Sequence, residues 1–147
     1  MPSSILDHRF LRQGIPGLAA SRGTALFARS IYLQGLLLME EKDVLPEHAA
    51  VIPVRRALGA IARDAGMTLA ELAVRYMLSL PGITCLVVGV DTAKQMRENV
   101  ALFDRGPLPH EARSRIEKAV PDLPDSILYP GNWSKKMPAP RPVTGGP

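Results

Sequence analysis

The sequence predicts an α/β fold in which a few parallel strands are covered by helices, with too few strands to close on themselves. Two observations lead there. Short apolar runs rich in Val, Leu and Ile alternate with longer segments whose apolar residues recur at helical spacing, and each run is followed by a turn and then a helix. Only about three such strand–helix units are legible, so the sheet keeps two unpaired edges and reads as part of a larger barrel or sheet. The size agrees: 147 residues, 46% hydrophobic and 22% charged, suit one globular domain.

The first unit is incomplete at its start. Ser3–Leu6 reads as the end of a strand, and after the interruptions at Gly14, Pro16 and Gly17 a helix begins near Ile15 and stops at Gly23. The second unit opens with a buried strand over Thr24–Ala28. Arg29–Leu38 follows as a loop or short helix, and Glu40–Ile52 as an irregular polar stretch. Pro53 then starts a helix as a first-turn residue, with Val54, Leu58, Ile61, Ala62 and Ala65 on one face and Gly66 as its stop. Thr68 and Glu71 have the spacing of a capping box for the next helix. Its apolar face is Leu69, Leu72, Ala73, Tyr76 and Leu80, and Pro81-Gly82 breaks it.

The third unit begins with Ile83–Val88, a near-continuous apolar run of the kind buried on both faces of a parallel sheet. After the turn at Gly89-Val-Asp-Thr92, Thr92 and Gln95 form a second capping box for a helix running to about Asp104, with Met96, Val100 and Phe103 facing inward. A final helix after Pro109 turns Ala112, Ile116 and Val120 toward the core. Residues 1–133 form the folded part. Residues 134–147, where Pro and Gly dominate, are expected to be disordered.

Composition narrows the function. No apolar run approaches the ~18 residues needed to span a membrane. The start Met1-Pro-Ser-Ser-Ile-Leu-Asp7 is not a secretory signal, and a cytoplasmic location is expected. The single cysteine, Cys85, excludes an internal disulfide and is expected to be a small buried hydrophobe. The net charge of +4 is spread along the chain without a basic stripe, so it suits an anionic small ligand better than nucleic acid. No His, Cys, Asp or Glu grouping has metal-ligand spacing. His8, His48 and His110 read as surface or structural residues.

Two segments carry candidate chemistry. After the third strand, Gly89 allows close backbone approach, and a helix starts near Thr92, whose free N–H groups suit a phosphate. Gln95, Glu98 and Asn99 lie on its first turns, where they could meet an adenosine. On spacing alone, a capped surface helix explains the same residues. After the second strand, Arg29-Ser30-Ile-Tyr-Leu-Gln-Gly35 places polar groups at a strand's C-terminal end, where barrel ligands sit.

Together these segments resemble a known family. Ala28-Arg-Ser-Ile-Tyr-Leu-Gln-Gly-Leu-Leu37 resembles the strand-seven signature of aldo-keto reductases. Leu72-Ala-Val-Arg-Tyr-Met-Leu-Ser-Leu-Pro-Gly82 is similar to the helix before strand eight. Val87-Val-Gly-Val-Asp-Thr-Ala-Lys-Gln-Met-Arg-Glu-Asn99 is similar to the strand-eight and cofactor-helix signature, and Pro2-Ser-Ser-Ile-Leu-Asp-His-Arg9 to the end of strand six. The resemblance covers roughly residues 2–133, in order.

It implies a partial (β/α)8 TIM barrel, the C-terminal portion, binding NADP or, less often, NAD without a G-x-G-x-x-G motif. By position, Ser30, Tyr32 and Gln34 lie along the pyrophosphate, and Arg29 stands where the family often stacks an aromatic ring on the nicotinamide. Gly89, Val90 and Asp91 border the 2′-phosphate end, while Gln95, Glu98 and Asn99 meet the ribose or adenine. Two departures stand out. Asp91 replaces a common Arg and repels a 2′-phosphate, with Lys94 close enough to compensate, and Tyr32 replaces a common Leu.

The family's catalytic Asp, Tyr, Lys and His come from strands and loops before strand six. None is matched here, and Tyr32, Tyr76 and Tyr129 are in other contexts. The resemblance thus implies a nicotinamide-dependent carbonyl or alcohol oxidoreductase in full-length form, of which this chain is the cofactor-binding part; a small carbonyl substrate belongs only to the full-length form. The alternative is a non-catalytic nucleotide-binding or self-associating remnant. Met1 falls where relatives often carry Val, so a truncated gene or a start placed too late is expected. Exposed strand edges imply self-association or pairing with another fragment.

Overall fold

The computed structural model describes residues 1–133; the expected disordered tail, 134–147, lies outside the described residues. The chain opens with Met1–Ser3 running beside the first strand. It then forms α1 (Arg9–Arg12), α2 (Ile15–Ser21) and β1 (Phe27–Arg29). A run of turns and two short 3-10 turns lead to α3 (Val51–Asp64) and α4 (Leu69–Leu78). Then come β2 (Cys85–Val87), α5 (Ala93–Phe103), α6 (His110–Ala119) and the single-turn α7 (Asp125–Leu128).

β1 and β2 pair in parallel, with Phe27 beside Cys85, Ala28 beside Leu86 and Arg29 beside Val87. On the other side of β1, Ser3 N–H donates to the Arg29 carbonyl (2.9 Å), Arg29 N–H donates to the Met1 carbonyl (2.9 Å), and Pro2 makes a parallel bridge to Arg29. The expected strand at Ser3–Leu6 is therefore only this bridge, displaced toward the N-terminus. Ser4 instead turns back on Asp7.

Where propensity and capping act locally, the sequence reading holds. α2 starts at Ile15 behind Gly14, which sits at φ +69° and leaves the Pro at a first-turn position that needs no N–H. α3 begins two residues before Pro53, which remains within its first turn, and Gly66 at φ +64° follows its end. Thr92 and Gln95 form a complete capping box. Thr68 makes only half of the expected one: its hydroxyl accepts from Glu71 N–H (3.1 Å), but the Glu71 carboxylate turns to Arg75 (3.2 Å). A guanidinium one turn along is the stronger partner for a carboxylate.

The core lies between α3, α4 and α6. Leu58, Leu72, Tyr76, Met77 and Ile116 are fully buried there, with Ile5, Leu36 and Leu37 beneath β1. Ala65, assigned to the inner face of α3, is instead its exposed C-cap, because the helix ends before completing that turn. α6 is not the last helix: α7 follows and buries Ile127 and Leu128. His48, read as a loop residue, is buried against Trp133 with ring centroids 4.6 Å apart. His110 is the exposed first residue of α6.

Three larger corrections share one cause. The strand expected at Thr24–Ala28 is Phe27–Arg29, and of its residues only Ala28 is buried. Cys85 and Val87, expected inside, are exposed, and so is Phe27. Phe27, Arg29, Cys85 and Val87 lie on one face of the pleat, and no layer of the described residues covers it. On α5 the half-buried stripe is Gln95, Asn99, Leu102 and Phe103, while Met96 and Val100 are exposed. The helix is rotated by one position from the expected Met96–Val100–Phe103 face, with α4 as its main contact.

His8 links the sheet end to α4. It is buried, its Nε2 lies 3.0 Å from the Ile5 carbonyl and 3.1 Å from the Tyr76 hydroxyl, and its ring stacks on Tyr76. Burial holds its pKa below the ordinary 6.5, with the Arg12 charge acting the same way and the Ile5 carbonyl, Glu117 and Asp7 opposing. The unfolded chain therefore takes up this proton first as pH falls. The stabilisation is complete above 6.5 and is lost progressively below it, toward the folded-state pKa. Melting temperature should drop between neutral and mildly acidic pH, and His8→Gln should flatten that part of the profile.

Burial decides a second outcome. Leu58→Ala should cost about 2–5 kcal/mol in denaturant unfolding, whereas Met96→Gln on the exposed face of α5 should stay within roughly 0.5 kcal/mol. A large loss from Met96→Gln would show that α5 packs through its other side.

Candidate functional site

The register of β1 and β2 sets the site. Because Arg29 pairs with Val87, Ser30 and Val88 leave the sheet side by side at its C-terminal edge, one strand spacing apart. The loop after β1 and the turn before α5 thus emerge from one edge, on strands separated by two helices in sequence. That edge carries two features, an enclosed cavity beside β1 and an open helix end beyond β2.

The cavity holds about 250 Å³. Pro2, Ser3, Ser4 and Asp7 form one wall, and Arg29, Ser30, Leu33 and Gln34 a second. The third wall is Leu128–Gly131, from the far end of the sequence. The second wall is locally strained. Ser30 (φ 64°), Leu33 (φ 48°) and Gln34 (φ 53°) all hold left-handed backbone, ahead of Gly35 (φ 86°). Non-glycine residues in that region cost roughly 1–3 kcal/mol each and persist only where surrounding structure imposes them. Here the imposition is visible: Ile31 and the positive-φ Leu33 itself are buried, and Leu36 and Leu37 anchor the exit of the loop in the core. The chain must coil tightly to bury these side chains while keeping Ser30 and Gln34 at the cavity.

The cavity wall has polar groups to offer. Ser3 is 2% exposed, and its hydroxyl has no hydrogen-bond partner. The exposed Arg29 guanidinium contacts only the Ser30 hydroxyl, at 3.3 Å, and forms no ion pair with a carboxylate of the described residues. Asp7 is occupied: both of its carboxylate oxygens receive the Arg9 fork, at 2.8 and 2.7 Å. Tyr32 does not join this wall. It is half-buried against the core, and burial pushes its hydroxyl up to about 12.

At the helix end, Gly89, Val90 and Asp91 are exposed, and a side chain on Gly89 would meet open space. The Gln95 carboxamide oxygen accepts from Asp91 N–H (2.7 Å) and Thr92 N–H (3.2 Å), while Gln95 N–H donates to the Thr92 hydroxyl (3.1 Å). Among the first-turn donors, this leaves the amides of Ala93 and Lys94 without an intrahelical acceptor. Lys94 pairs with Glu98 at 3.8 Å rather than balancing Asp91. Asn99 is half-buried on the α4 side. Gly89, Val90, Asp91, Gln95, Glu98 and Asn99 all lie outside the cavity wall.

Residues 2–7 and 128–131 were not singled out as lining residues in the sequence. The strand-end position of Ser3 and Ser4 offered some signal. Leu128–Gly131 offered none, since their position depends on contacts made more than a hundred residues away. Among the described residues no group of three or more His, Cys, Asp or Glu can hold a metal ion, and no helix is long and apolar enough to cross a membrane.

Parallel strands with helices outside and polar loops gathered at the strands' C-terminal edge define an arc of a barrel of the (β/α)8 class. Residues 3–121 match the model of the Aldo/keto reductase family, and the chain belongs to that family. Its fold is similar to that of the aldo-keto reductase AKR11C1 from Bacillus halodurans. In the holo form the TM-score is 0.68 with 26% identity over 82% of this chain and 41% of that one; in the apo form the values are 0.68 and 26% over 82% and 42%. The thermostable aldo-keto reductase Tm1743, solved with the inhibitor epalrestat, shares the fold at TM-score 0.56 and 20% identity, over 80% of this chain and 39% of that one. The chain thus spans about two-fifths of the length of these solved structures. None of the curated proteins matches it.

Substitution at the helix end has a local expected effect. Gln95→Ala removes the acceptor for two amides and should weaken α5 by about 1 kcal/mol. Hydrogen exchange should speed up across Ala93–Phe103 while α3 and α4 are unchanged.

Proposed function

We propose that this chain is the C-terminal, dinucleotide-binding part of a nicotinamide-dependent carbonyl or alcohol oxidoreductase. The observation that carries the reading is the C-terminal edge of the sheet. There a cavity with an unsatisfied buried Ser3 hydroxyl and an unpaired Arg29 guanidinium stands one strand away from a helix N-terminus with amides that lack an intrahelical acceptor. An elongated anion with a polar group at each end suits such an edge better than a compact ligand does. That the Bacillus halodurans relative is described in a holo form supports the same reading.

On this reading, Arg29, Ser30 and Gln34 hold the nicotinamide and pyrophosphate side, and Tyr32 braces their loop from the core. Gly89, Val90 and Asp91 border the adenosine side, with Gln95 fixing the turn and Glu98 and Asn99 toward the ribose or adenine. The bound cofactor would supply the hydride. The chain's own residues bind and orient it, and the Arg29 guanidinium offers a flat cation for stacking. The proton donor and most of the substrate pocket belong to segments outside this chain, so a small carbonyl substrate is a partner only of a full-length form.

Asp91 sets the cofactor preference. Its carboxylate stands where a 2′-phosphate would lie, and Lys94 is engaged with Glu98. NADH should therefore bind at least as tightly as NADPH, although the family more often takes NADP. Asp91→Arg should favour NADPH by about tenfold, one like-charge contact exchanged for an opposite one. Fluorescence titration with both nucleotides checks this. Saturable binding of neither nucleotide by the wild-type chain would defeat the dinucleotide reading and leave the non-catalytic, self-associating remnant.

A further inference from the structure

The third wall of the cavity is built from the far end of the sequence, and Arg9 is the side chain that ties it to the first wall. Arg9 forks both nitrogens, Nε and Nη2, onto the Asp7 carboxylate, which is 3% exposed. Its remaining Nη1 donates to Asp125 at 2.7 Å. The guanidinium carbon, Cζ, lies over the Tyr129 ring, 4.2 Å from its centre. Asp7 and Tyr129 both line the cavity. Asp125 is well exposed, so its carboxylate is held by Arg9 and not by packing. Beyond Tyr129 the segment is fastened a second time, where Trp133 donates to the Ile127 carbonyl (3.2 Å) and packs at a tilt against buried His48.

We infer that Arg9 is a positioning residue for the cavity: by bridging Asp7, Asp125 and Tyr129 it holds the segment that supplies Leu128–Gly131 as the third wall. As a ligand contact this wall rests on the dinucleotide reading above; as a structural anchor it does not. A guanidinium suits the task because it alone provides a bidentate fork, a third donor direction and a stacking face at once. A lysine at this position could keep one ion pair but neither the fork nor the flat stack. The other anchors of the segment lie to either side of Tyr129: Ile127 and Leu128 are buried, Trp133 meets His48, and Asp122 pairs with Arg12. Without Arg9 the cavity keeps its strand-end and β1-loop walls but opens on its third side.

The test uses the whole 147-residue chain, with Arg9→Lys and Asp125→Asn as variants. Because Asp125 is exposed, its variant folds even if Arg9→Lys does not. Hydrogen exchange is the first readout. Both variants should raise exchange of the amides from Ile127 to Trp133 by about tenfold while α3 and α4 stay as in wild type. The emission of Trp133, the sole tryptophan, should shift to the red as its segment loosens. A merely structural role for Arg9 would instead raise exchange throughout the core and lower the melting temperature, and that result overturns the inference. So does unchanged exchange at 127–133 in both variants.

Titration with NADH and NADPH is the second readout. Both variants should weaken binding by about fivefold, and a loosened segment with unchanged affinity would overturn its role as a ligand wall. If the wild-type chain binds neither nucleotide, the dinucleotide reading fails, and the exchange data still decide whether Arg9 anchors the segment.

Discussion

The parallel pairing of Phe27–Arg29 with Cys85–Val87 is the constraint on which the rest depends. Parallel strands cannot be joined by a tight turn, so α3 and α4 must cross between them, and those two helices supply most of the core. The same pairing makes both strands end at one edge. That is why a loop near residue 30 and a turn near residue 90 emerge side by side. Met1–Ser3 extends the arrangement on the other side of β1 and brings Ser3, Ser4 and Asp7 to the same edge.

Two kinds of surface follow from this arc. Toward the helices, the sheet is sealed by Ala28 and by side chains of the following loop, and the residues that must be buried there force left-handed backbone at Ser30, Leu33 and Gln34. Away from the helices, Phe27, Cys85 and Val87 remain exposed beside Arg29. In a barrel of this class that face is the interior, filled by side chains from other strands. The chain spans about two-fifths of the length of its solved relatives. The exposed apolar face is thus what an arc of a barrel presents when it is described by itself.

Much of the local structure was legible because it is decided locally. Gly14, Gly66 and Thr92 each act within a few residues of themselves, and the element boundaries beside them fall where expected. The Thr68 box was only half right, because a helix-internal partner, Arg75, competes for Glu71. For the site, sequence spacing and the family resemblance singled out the β1 loop and the α5 turn. They missed the wall at Leu128–Gly131 and misjudged Lys94, whose partner Glu98 lies one helical turn further along.

The sequence by itself determined that strands and helices alternate, where most helices start and stop, and which family the chain joins. These depend on short-range sterics, capping and motif order, all of which are written along the chain. Tertiary structure alone decided that α5 turns Gln95 and Asn99 inward rather than Met96 and Val100. It alone left Cys85 exposed, and it alone let Arg9 gather Asp7, Asp125 and Tyr129 around a cavity. Those outcomes depend on which surfaces meet across long stretches of chain, and helical periodicity names an apolar stripe without naming what covers it.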